Sequence, residues 1–319
     1  MEACPYVDHY PVMLPEVLDA LLPRDGGVYV DGTFGAGGYS RAILDAADCH
    51  VYAIDRDPTT QGAVQALEKE YSGRFTFLQG CFGDVEALLS SAGVGKIDGF
   101  VVDIGVSSMQ LDQAERGFSF RADGPLDMRM DCGGDGETAA DIVNSYEEED
   151  LANLIYEFGE ERLSRRIARK IVALRQERPF ETTAQLADCV RSVVPKKPKD
   201  KHDPATRTFQ ALRIAVNDEL GELDRALASS VKVLREDGRV VVVSFHSLED
   251  RRVKTFLKDK AEVASGSRHL PVLDQGYEPE LRLYSRKAIK PSDKEIEENP
   301  RSRSARLRCG IRLKDKVGA

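Results

Sequence analysis

The sequence predicts an α/β fold in which a mostly parallel sheet is interrupted by a helical insertion. Three observations support this prediction. Short apolar runs alternate with helical patterns through the first third of the chain, the alternation stops after Ser107, and the fully apolar run Val240–Ser244 restores the sheet pattern. Strands separated by helices of this length are joined by crossovers and therefore lie parallel in one sheet.

The first third of the chain contains four strand patterns with helical patterns between them. The predicted strands are Val28–Asp31, Val51–Asp55, Phe75–Leu78 and Gly99–Ile104. The predicted helices are Tyr39–Ala47, one that starts at Asp57 and Pro58, and Asp84–Ala92. An acid at the N-cap followed by proline at the first helical position is typical of a helix start.

Between Ser107 and Ala205 the sequence contains no pattern of a buried strand. Apolar residues at helical spacing predict three helices, over Leu151–Phe158, Leu163–Leu174 and Thr182–Val194. The segment Gly117–Gly136, rich in Gly, Asp and Arg, is interpreted as an ordered loop.

The sheet pattern returns in the last third of the chain. Apolar spacing over Phe209–Leu227 predicts one long amphipathic helix, and Leu248–Leu257 predicts another. Leu281–Ala288 and Ala305–Leu313 alternate in the manner of a closing pair of strands. We therefore predict a catalytic domain formed by residues 1–110 and 206–319, with an inserted helical substrate-recognition domain over residues 111–205.

Composition excludes several classes of protein. The 319 residues are 41% apolar, enough for a sizeable core, yet they contain no apolar run long enough for a membrane span, which needs about 18 residues. The N-terminal residues lack the pattern of a signal peptide, so we expect a cytoplasmic protein. The six cysteines form no CxxC pair and have no histidine at metal-ligand spacing, so we expect free thiols and no metal.

The net charge of −9 argues against a simple nucleic-acid coat protein, but cationic residues are clustered. The clusters lie at Arg162–Lys170, Lys196–Lys201 and Arg301–Arg308. Each cluster alone is also typical of a solvated helix face, a loop or a tail. Together they are compatible with binding RNA phosphates on one face of an acidic protein.

A glycine-rich loop, Asp31–Ser40, follows the first predicted strand and opens the first helix. Glycines here let the backbone bend tightly and approach a ligand closely. A dinucleotide fingerprint that begins at Gly35 needs glycine at position 40, where this chain has Ser40. The loop therefore predicts a nucleotide-type cofactor and disfavours NAD.

Residues at the tips of the next strands are candidate ligands for the same cofactor. Asp55 can accept hydrogen bonds from both ribose hydroxyls of an adenosine, or it can cap the following turn. Phe82 can lie against adenine, or it can belong to the core. Asp103 lies on the same carboxyl edge of the sheet, where open parallel sheets bind ligands, although it can also cap a turn to Gly105.

Six blocks of residues together resemble the motifs of a known family. In order along the chain they are Asp31–Gly38, Asp103–Ser108, Glu115–Phe120, Gly124–Met130, Pro204–Ala211 and Ser244–Arg251. Their content, including DGTFGxGG, DIGVSS, ERGFSF, GPLDMRM, PATRTFQA and SFHSLEDR, resembles the MraW-type 16S rRNA cytosine-N4 methyltransferases. The resemblance runs from about His9 to Arg308, nearly the whole chain.

The resemblance implies a Rossmann-like S-adenosylmethionine methyltransferase sheet with an inserted helical domain. It implies N4-methylation of a cytidine in the decoding region of 16S ribosomal RNA. The cofactor contacts that the resemblance implies are Gly37, Gly38, Tyr39, Asp55, Phe82, Asp103 and Gln110. We add Gly35, which lies in the same glycine-rich loop. The family often has histidine where this chain has Tyr39. A cofactor contact through the backbone amide would not be affected by this difference, whereas a contact through the imidazole would be lost.

The cytosine N4 amine is a poor nucleophile because its lone pair is delocalised into the ring. The protein must therefore position the amine and accept its hydrogens. We predict that the Asp103–Ser108 loop provides these acceptors, with Asp103 and Ser107 as catalytic residues. His246 is a further catalytic candidate that accepts the released proton or stacks on a flipped base, or else it is a satisfied structural residue.

Substrate contacts are expected from basic residues in or beside the insertion. The RNA-binding candidates are Arg165, Arg166, Arg169, Lys196, Lys197 and Arg207. Asp127 and Arg129 lie in a loop that is a candidate to close over the site. The expected partner is 16S rRNA within the small ribosomal subunit, with no membrane, and the oligomeric state is left open.

Three other interpretations remain open from the sequence. The first is a nicotinamide-dependent oxidoreductase, disfavoured by Ser40 and by the absence of a clear Tyr/Lys or His/Arg hydride-site pair. The second is an RNA-binding or ribosome-assembly factor that keeps the cofactor pocket without turnover. The third is a methyltransferase with a different substrate.

Overall fold

A computed structural model describes residues 11–132, 134, 136–196, 202–261 and 278–314. The chain forms two compact units. One, which we call the sheet unit, comprises Met1–Gly105 and Gly221–Ala319, and the other, the helical unit, comprises Val106–Leu220. The borders predicted from the sequence were 110/111 and 205/206, so residues 106–110 and 206–220 also belong to the helical unit, and the functional division into a catalytic and a substrate-recognition domain stays a prediction.

The sheet unit contains a mixed seven-stranded sheet with the strand order β3-β2-β1-β4-β5-β7-β6. The strands are β1 (Val28–Asp31), β2 (His50–Asp55), β3 (Phe75–Gln79), β4 (Ile97–Asp103), β5 (Leu234–Ser244), β6 (Leu281–Leu283) and β7 (Arg306–Arg312). Strands β1 to β5 are parallel, and β7 and β6 complete the sheet in antiparallel pairing. The predicted Rossmann-like α/β fold is confirmed.

The helices follow the predicted alternation in the first third of the chain. In chain order they are α1 (Leu14–Leu21), α2 (Gly38–Ala46), α3 (Gln61–Glu70), α4 (Val85–Ser91), α5 (Ser108–Asp112), α6 (Ala139–Ser145), α7 (Glu148–Gly159), α8 (Ser164–Arg175), α9 (Thr183–Val193), α10 (Thr206–Asn217), α11 (Glu219–Val233), α12 (Ser247–Ala261) and α13 (Asp293–Glu298). In the described ranges, no helix has the length and apolar character needed to cross a bilayer.

The sheet is covered on both faces, as its apolar strands require. Alternate residues of the central strands enter two separate cores: Val101 and Val243 belong to one, and Val102 and Val242 belong to the other. Because both faces are filled with apolar side chains, polar ligand-binding groups are confined to the strand ends. The site described below lies at the carboxyl ends of β1 to β4.

The helical unit has its own apolar core, and its described residues form no strand, only an isolated bridge between Pro125 and Thr182. Its three predicted helices are confirmed as α7, α8 and α9. Helix α6 was not predicted. It begins with a reciprocal capping box between Thr138 and Asp141, a local signal that apolar spacing does not report.

The prediction of one long helix over Phe209–Leu227 is wrong. The chain breaks between α10 and α11 at Asp218, which has a left-handed φ of 47°. Asn217 uses its side chain to accept from the backbone amide of Met130 and to donate to the carbonyl of Met128, both at 2.8 Å. Apolar spacing continues across the break, so the pattern alone concealed it.

The closing pair of strands is confirmed, but the first is shorter than predicted. Strand β6 ends at Leu283 instead of Ala288. The chain leaves the ladder after Tyr284 and returns for one isolated bridge, in which Ile289 and Leu307 exchange backbone hydrogen bonds of 2.9 and 3.0 Å. The alternating pattern therefore spans a ladder, a gap and a bridge.

Candidate active site

The glycine-rich loop is closed by Asp31, the last residue of β1. Its fully buried carboxylate accepts from the backbone amide of Thr33 at 3.2 Å, and from the amide and hydroxyl of Ser40 at 3.1 and 2.7 Å. Burial raises the pKa of Asp31 to about 6, although these hydrogen bonds oppose the shift. One carboxylate thus joins the two ends of the loop.

The bend of the loop depends on glycine at two positions. Gly37 has a φ of 81°, and its amide donates to the carbonyl of Phe34 at 2.7 Å. A Cβ on Gly38 would lie 2.3 Å from Cγ of Pro11, so no larger residue fits without movement of the chain. Glycine is therefore required at both positions by the positive φ of Gly37 and by the packing of Phe34 and Pro11 against the loop, and a cofactor contact of this backbone stays a prediction.

Asp55, the last residue of β2, faces this loop. Its Oδ2 accepts from the amide of Gly35 at 2.7 Å, and its Oδ1 accepts from the amide of Asp57 at 2.8 Å. Burial raises its pKa above the usual range. Two backbone amides thereby fix the orientation of the carboxylate beside Gly35, where the sequence analysis expected a ribose.

Asp103, the last residue of β4, is tied to the loop through its backbone, whose amide donates to Oγ1 of Thr33 at 2.7 Å. Its side-chain Oδ1 is buried and has no hydrogen-bond partner among the described residues. Burial, reinforced by the charges of Asp31 and Glu249, raises the pKa of Asp103 well above its usual range, and the hydroxyl of Tyr39 offsets only part of this. An acceptor in this state favours a cationic or N–H-bearing ligand.

Phe82 lies in the turn after β3, next to the tip of β2. The two tips are joined by the amide of Gly80, which donates to the carbonyl of Asp55 at 3.0 Å. Phe82 is half-buried, and its Cβ would lie 3.2 Å from a Cβ built on Gly32. It therefore borders both the apolar core and the start of the glycine-rich loop.

Tyr39 is almost completely buried, and its hydroxyl donates to the carbonyl of Val12. Burial, with the nearby charges of Asp103 and Asp31, raises the pKa of Tyr39 well above the usual range. The side chain is thus engaged in holding the segment before α1 against the loop. A cofactor contact through the backbone of Tyr39 stays a prediction.

His246 directly precedes α12 and packs against Glu249 in the first turn of that helix. Its Nδ1 lies 3.4 Å from the Glu249 amide, and its Nε2 lies 2.8 Å from Glu249 Oε1. The other carboxylate oxygen of Glu249 accepts from the amides of Phe245 and His246 at 2.8 and 3.1 Å. The pair therefore caps a helix, and the catalytic role of His246 stays a prediction.

Ser107 and Gln110 form a second reciprocal cap, at the start of α5 in the helical unit. The Ser107 amide donates to Gln110 Oε1 at 3.0 Å, and the Gln110 amide donates to Ser107 Oγ at 3.2 Å. This S-x-x-Q pattern is a capping box, and it supplies a structural reason for both residues. Their predicted catalytic and cofactor roles stay predictions.

Candidate RNA-binding residues are displayed on the helical unit. Arg165, Arg166 and Arg169 are exposed on α8, and Arg169 Nε lies 3.4 Å from Oε1 of Glu148. Arg207 is 58% exposed, and its guanidinium lies 3.8 Å from the Glu161 carboxylate. Lys196 is exposed, and Lys197 lies outside the described residues. Among the described candidates, the three α8 arginines lie on one helix.

Asp127 and Arg129 form a bidentate ion pair, with Nε to Oδ1 at 2.9 Å and Nη2 to Oδ2 at 2.7 Å. Burial opposes the charge of Asp127, but the hydrogen bonds and charge of Arg129 hold its pKa below the usual range. The Asp127 carbonyl also accepts from the amide of Ala139 in α6, and Met128 is fully buried. The loop is built into the helical core, and its closing over a site stays a prediction.

The structure thus brings Gly35, Asp55 and Asp103 to one loop edge of the sheet unit. No individual role was predicted from the sequence for Asp31 or Glu249. A signal for Asp31 was available, since an acid ends β1 just as acids end β2 and β4. Glu249 was hidden because its contact with His246 depends on where α12 begins.

Comparison with known proteins identifies relatives along nearly the whole chain. The profile of the MraW methylase family matches residues 6–313. "Ribosomal RNA small subunit methyltransferase H" of Rhodospirillum rubrum is 59% identical over 306 residues, which cover 94% of this chain and 93% of the relative. The protein of that name from Parvibaculum lavamentivorans is 57% identical over 305 residues, with 95% and 89% covered. A solved rRNA methylase from Streptococcus thermophilus has a TM-score of 0.40 and 8% identity, with 94% of each chain covered.

Proposed function

Since the chain belongs to the MraW methylase family, we propose that it methylates N4 of a cytidine in the decoding region of 16S ribosomal RNA. At the coarser level it is an S-adenosylmethionine-dependent methyltransferase. The names of its relatives support ribosomal RNA of the small subunit as the substrate. The geometry of the strand tips supports the chemistry proposed here.

The residues of the sheet unit fit S-adenosylmethionine. Three carboxylates with raised pKa values, Asp31, Asp55 and Asp103, end neighbouring strands of the sheet. This concentration of acid groups favours a cationic cofactor and opposes the pyrophosphate of a dinucleotide. The loop leaves open space at Gly35, where nothing lies within 4 Å of a Cβ built on the backbone. The oxidoreductase interpretation loses support accordingly.

Each part of the pocket has a proposed task. Asp55, held by two amides, would bind the ribose hydroxyls, and Phe82 would contact the adenine. The backbone of Gly37 and Gly38 borders the amino-acid part. When bound, S-adenosylmethionine supplies a methyl group on a positively charged sulfur.

The single observation that supports amine methylation is the buried Oδ1 of Asp103, which accepts no hydrogen bond from any residue in the described ranges. An acceptor at this place can take a hydrogen bond from the cytosine amine. This hydrogen bond favours a pyramidal nitrogen, whose lone pair is less delocalised into the ring and is free to attack the methyl group. Since burial raises the pKa of Asp103, a cation beside it would lower that pKa and favour the ionised carboxylate, the form in which both oxygens accept hydrogen bonds. Asp103 would therefore act only when the positively charged cofactor is bound.

The amine must lose a proton after methylation. We propose His246 as its acceptor, with Glu249 as the group that stabilises the resulting imidazolium, because their ring nitrogen and carboxylate oxygen lie 2.8 Å apart. Ser107 is proposed to assist through the backbone of the Asp103–Ser108 loop, because its hydroxyl already caps α5.

RNA contacts are proposed on the helical unit. Arg165, Arg166 and Arg169 present cationic groups on one exposed face of α8. Such contacts give affinity that decreases with salt and carry little sequence information. Recognition of the target would then rest on the shape of the RNA in the small ribosomal subunit and on the flipped base.

The direct experiment is mass spectrometry of nucleosides from 16S ribosomal RNA. A strain without this chain should lose the N4-methyl mark on one cytidine, and reintroducing the wild-type chain should restore it. Purified protein should transfer labelled methyl groups to small subunits isolated from the deletion strain. Restoration by wild type but not by Asp103→Asn would support the assigned chemistry.

Two results would contradict the proposal. If the cytidine mark persists in the deletion strain and label appears on another nucleotide or on protein, the substrate is wrong. If the protein binds cofactor and small subunits but transfers no label in a single turnover, the chain acts as a binding factor and not as an enzyme.

A further inference from the structure

A buried carboxylate outside the strand tips, that of Glu222 in α11, contacts the turns on which the adenosine side of the site is built. The residue is 4% exposed. Its Oε2 accepts from the backbone amide of Gly83 at 2.9 Å. Its Oε1 lies 3.5 Å from Nη2 of Arg56 and 3.2 Å from Nη2 of Arg225. All four residues belong to the sheet unit.

The turn after β3 is shaped around this carboxylate. A Cβ on Gly83 would lie 2.8 Å from Glu222 Oε2 and 3.1 Å from the Glu222 carbonyl. Glycine is therefore needed for the close approach of the backbone amide. A buried carboxylate is costly unless it is hydrogen-bonded and paired, and here an amide and two guanidinium groups meet that need.

The contacts of Glu222 adjoin two residues that the proposed function assigns to the cofactor. Arg56 directly follows Asp55, the proposed ribose ligand, and Gly83 directly follows Phe82, the proposed adenine neighbour. The tips of β2 and β3 are also joined by the hydrogen bond from Gly80 to Asp55. One carboxylate thus restrains both turns from the side of α11.

We propose that Glu222 is a positioning residue for the adenosyl half of the cofactor. It sets the separation between the ribose carboxylate of Asp55 and the ring of Phe82 by holding their chain neighbours, Arg56 and Gly83. It touches neither the reacting methyl group nor the target amine. The inference rests on the proposed function, because it takes Asp55 and Phe82 as the adenosine contacts.

The test is Glu222→Gln, which keeps the volume and one acceptor but removes the charge. Affinity for S-adenosylhomocysteine and for 5′-methylthioadenosine should decrease by the same factor, about tenfold, because the loss lies in the half that both molecules share. The KM for S-adenosylmethionine should increase in parallel, and kcat at saturating cofactor should stay within about twofold of wild type. A residue that only stabilises the fold would not separate KM from kcat.

Glu86→Gln is the matched control. Glu86 lies on α4, is 49% exposed and pairs with Lys232 of α11 at 2.9 Å, so this change removes an acid from the same face without touching either turn. It should leave both affinities unchanged. If Glu222→Gln does not fold, Arg56→Gln tests the same contact from the other side and should produce the same parallel loss.

A comparison with Asp55→Asn distinguishes failure of the Glu222 inference from failure of the proposed adenosine pocket. If Asp55→Asn weakens 5′-methylthioadenosine binding while Glu222→Gln and Arg56→Gln do not, the role of Glu222 is refuted and the pocket stands. If Asp55→Asn has no effect either, the assignment of the adenosine pocket itself is refuted. A loss for S-adenosylhomocysteine that 5′-methylthioadenosine does not share also overturns the inference.

Discussion

Acidic groups in the two units of the molecule differ in the direction of their pKa shifts. In the sheet unit, burial raises the pKa values of the acids that end three parallel strands, Asp31, Asp55 and Asp103. In the helical unit, hydrogen bonds lower the pKa values of the acids that cap helices or pair with arginine, including Asp127, Asp141 and Asp203. The charged form of aspartate is therefore disfavoured at the strand ends of the sheet unit and favoured at these positions of the helical unit.

This difference indicates a division of labour. A carboxylate whose charge is disfavoured in the folded protein gains free energy when a cation or an N–H group arrives, so the sheet unit is prepared for a ligand. Asp31 and Asp55 also accept hydrogen bonds, but only in the helical unit do the hydrogen bonds and arginine charges outweigh burial, so there the charged acids stabilise the scaffold. The predictions below test that contrast.

The largest effect is expected for Asp103→Asn. Asparagine keeps the shape but cannot supply a charged acceptor, so kcat for methyl transfer should decrease by about 10²–10³-fold. Binding of S-adenosylhomocysteine, measured separately by calorimetry, should show whether Asp103 also serves the cofactor. Wild-type values for both binding and transfer would remove Asp103 from the mechanism and the main support for the contrast.

The next effect concerns the helical unit. Arg165→Glu combined with Arg166→Glu should weaken binding to small ribosomal subunits by at least about tenfold at low salt and reduce the salt dependence of binding, because fewer counterions are released. Cofactor affinity should not change. A control pair on the sheet unit, Lys254→Glu with Lys258→Glu, makes the same change in net charge on exposed positions of α12. Equal losses for the two pairs would attribute RNA binding to overall charge and not to α8.

Much of the sheet unit could be predicted from sequence because its signals are local. Apolar runs bounded by turn residues located β1 to β4, and the predicted proximity of Asp55 to the glycine-rich loop is confirmed by its hydrogen bond with Gly35, although the binding of a cofactor there stays a prediction. The ends of parallel strands meet at one edge by topology, so the neighbouring positions of Asp55 and Asp103 followed without side-chain detail.

What could not be predicted depends on contacts between distant residues. The break at Asp218 is stabilised by Asn217, whose side chain bonds the backbone at Met128 and Met130, and apolar spacing carries no record of that. Likewise, Ser107 and His246 had plausible catalytic roles, but their side chains also cap helices whose first residues were uncertain from sequence. Hydrogen bonds from side chains to the backbone thus determine where these helices begin and end, and apolar periodicity does not reveal them.

A smaller effect is expected from the titration of Asp31, which should make both the folding stability and the cofactor affinity depend on pH. Its pKa is raised from 3.8 to about 6, so its contribution to folding stability is present below the ordinary value and lost as the pH rises through about 6. Cofactor binding should have the opposite dependence, because the charged form accepts the hydrogen bonds that close the loop. Affinity for S-adenosylhomocysteine should therefore weaken by up to about tenfold as the pH falls through about 6.

Calorimetric titrations across this pH range provide the measurement. Asp31→Asn should bind more weakly than wild type and show a flatter pH profile, whereas Asp55→Asn should bind weakly but keep a pH-dependent transition, with its midpoint moved to lower pH because the charge of Asp55 helps to raise the pKa of Asp31. If Asp31→Asn retains the wild-type slope, another group titrates, and the loop is not held by the charge of Asp31.

The smallest effect is expected for Asp127→Asn, the counterpart of Asp31 in the helical unit. Asp127 is 29% exposed and pairs with Arg129, so the variant should lower local stability by about 1–2 kcal/mol at neutral pH. The lowered pKa means that this contribution is present above the ordinary value and lost as the pH falls through the folded-state pKa. Hydrogen exchange of amides in α6 measures it, with Asp131→Asn as an exposed neighbouring control. Faster exchange with unchanged cofactor affinity would show that a satisfied carboxylate supports the scaffold alone, whereas a loss of cofactor affinity without faster exchange would reverse the roles assigned to the acids of the two units.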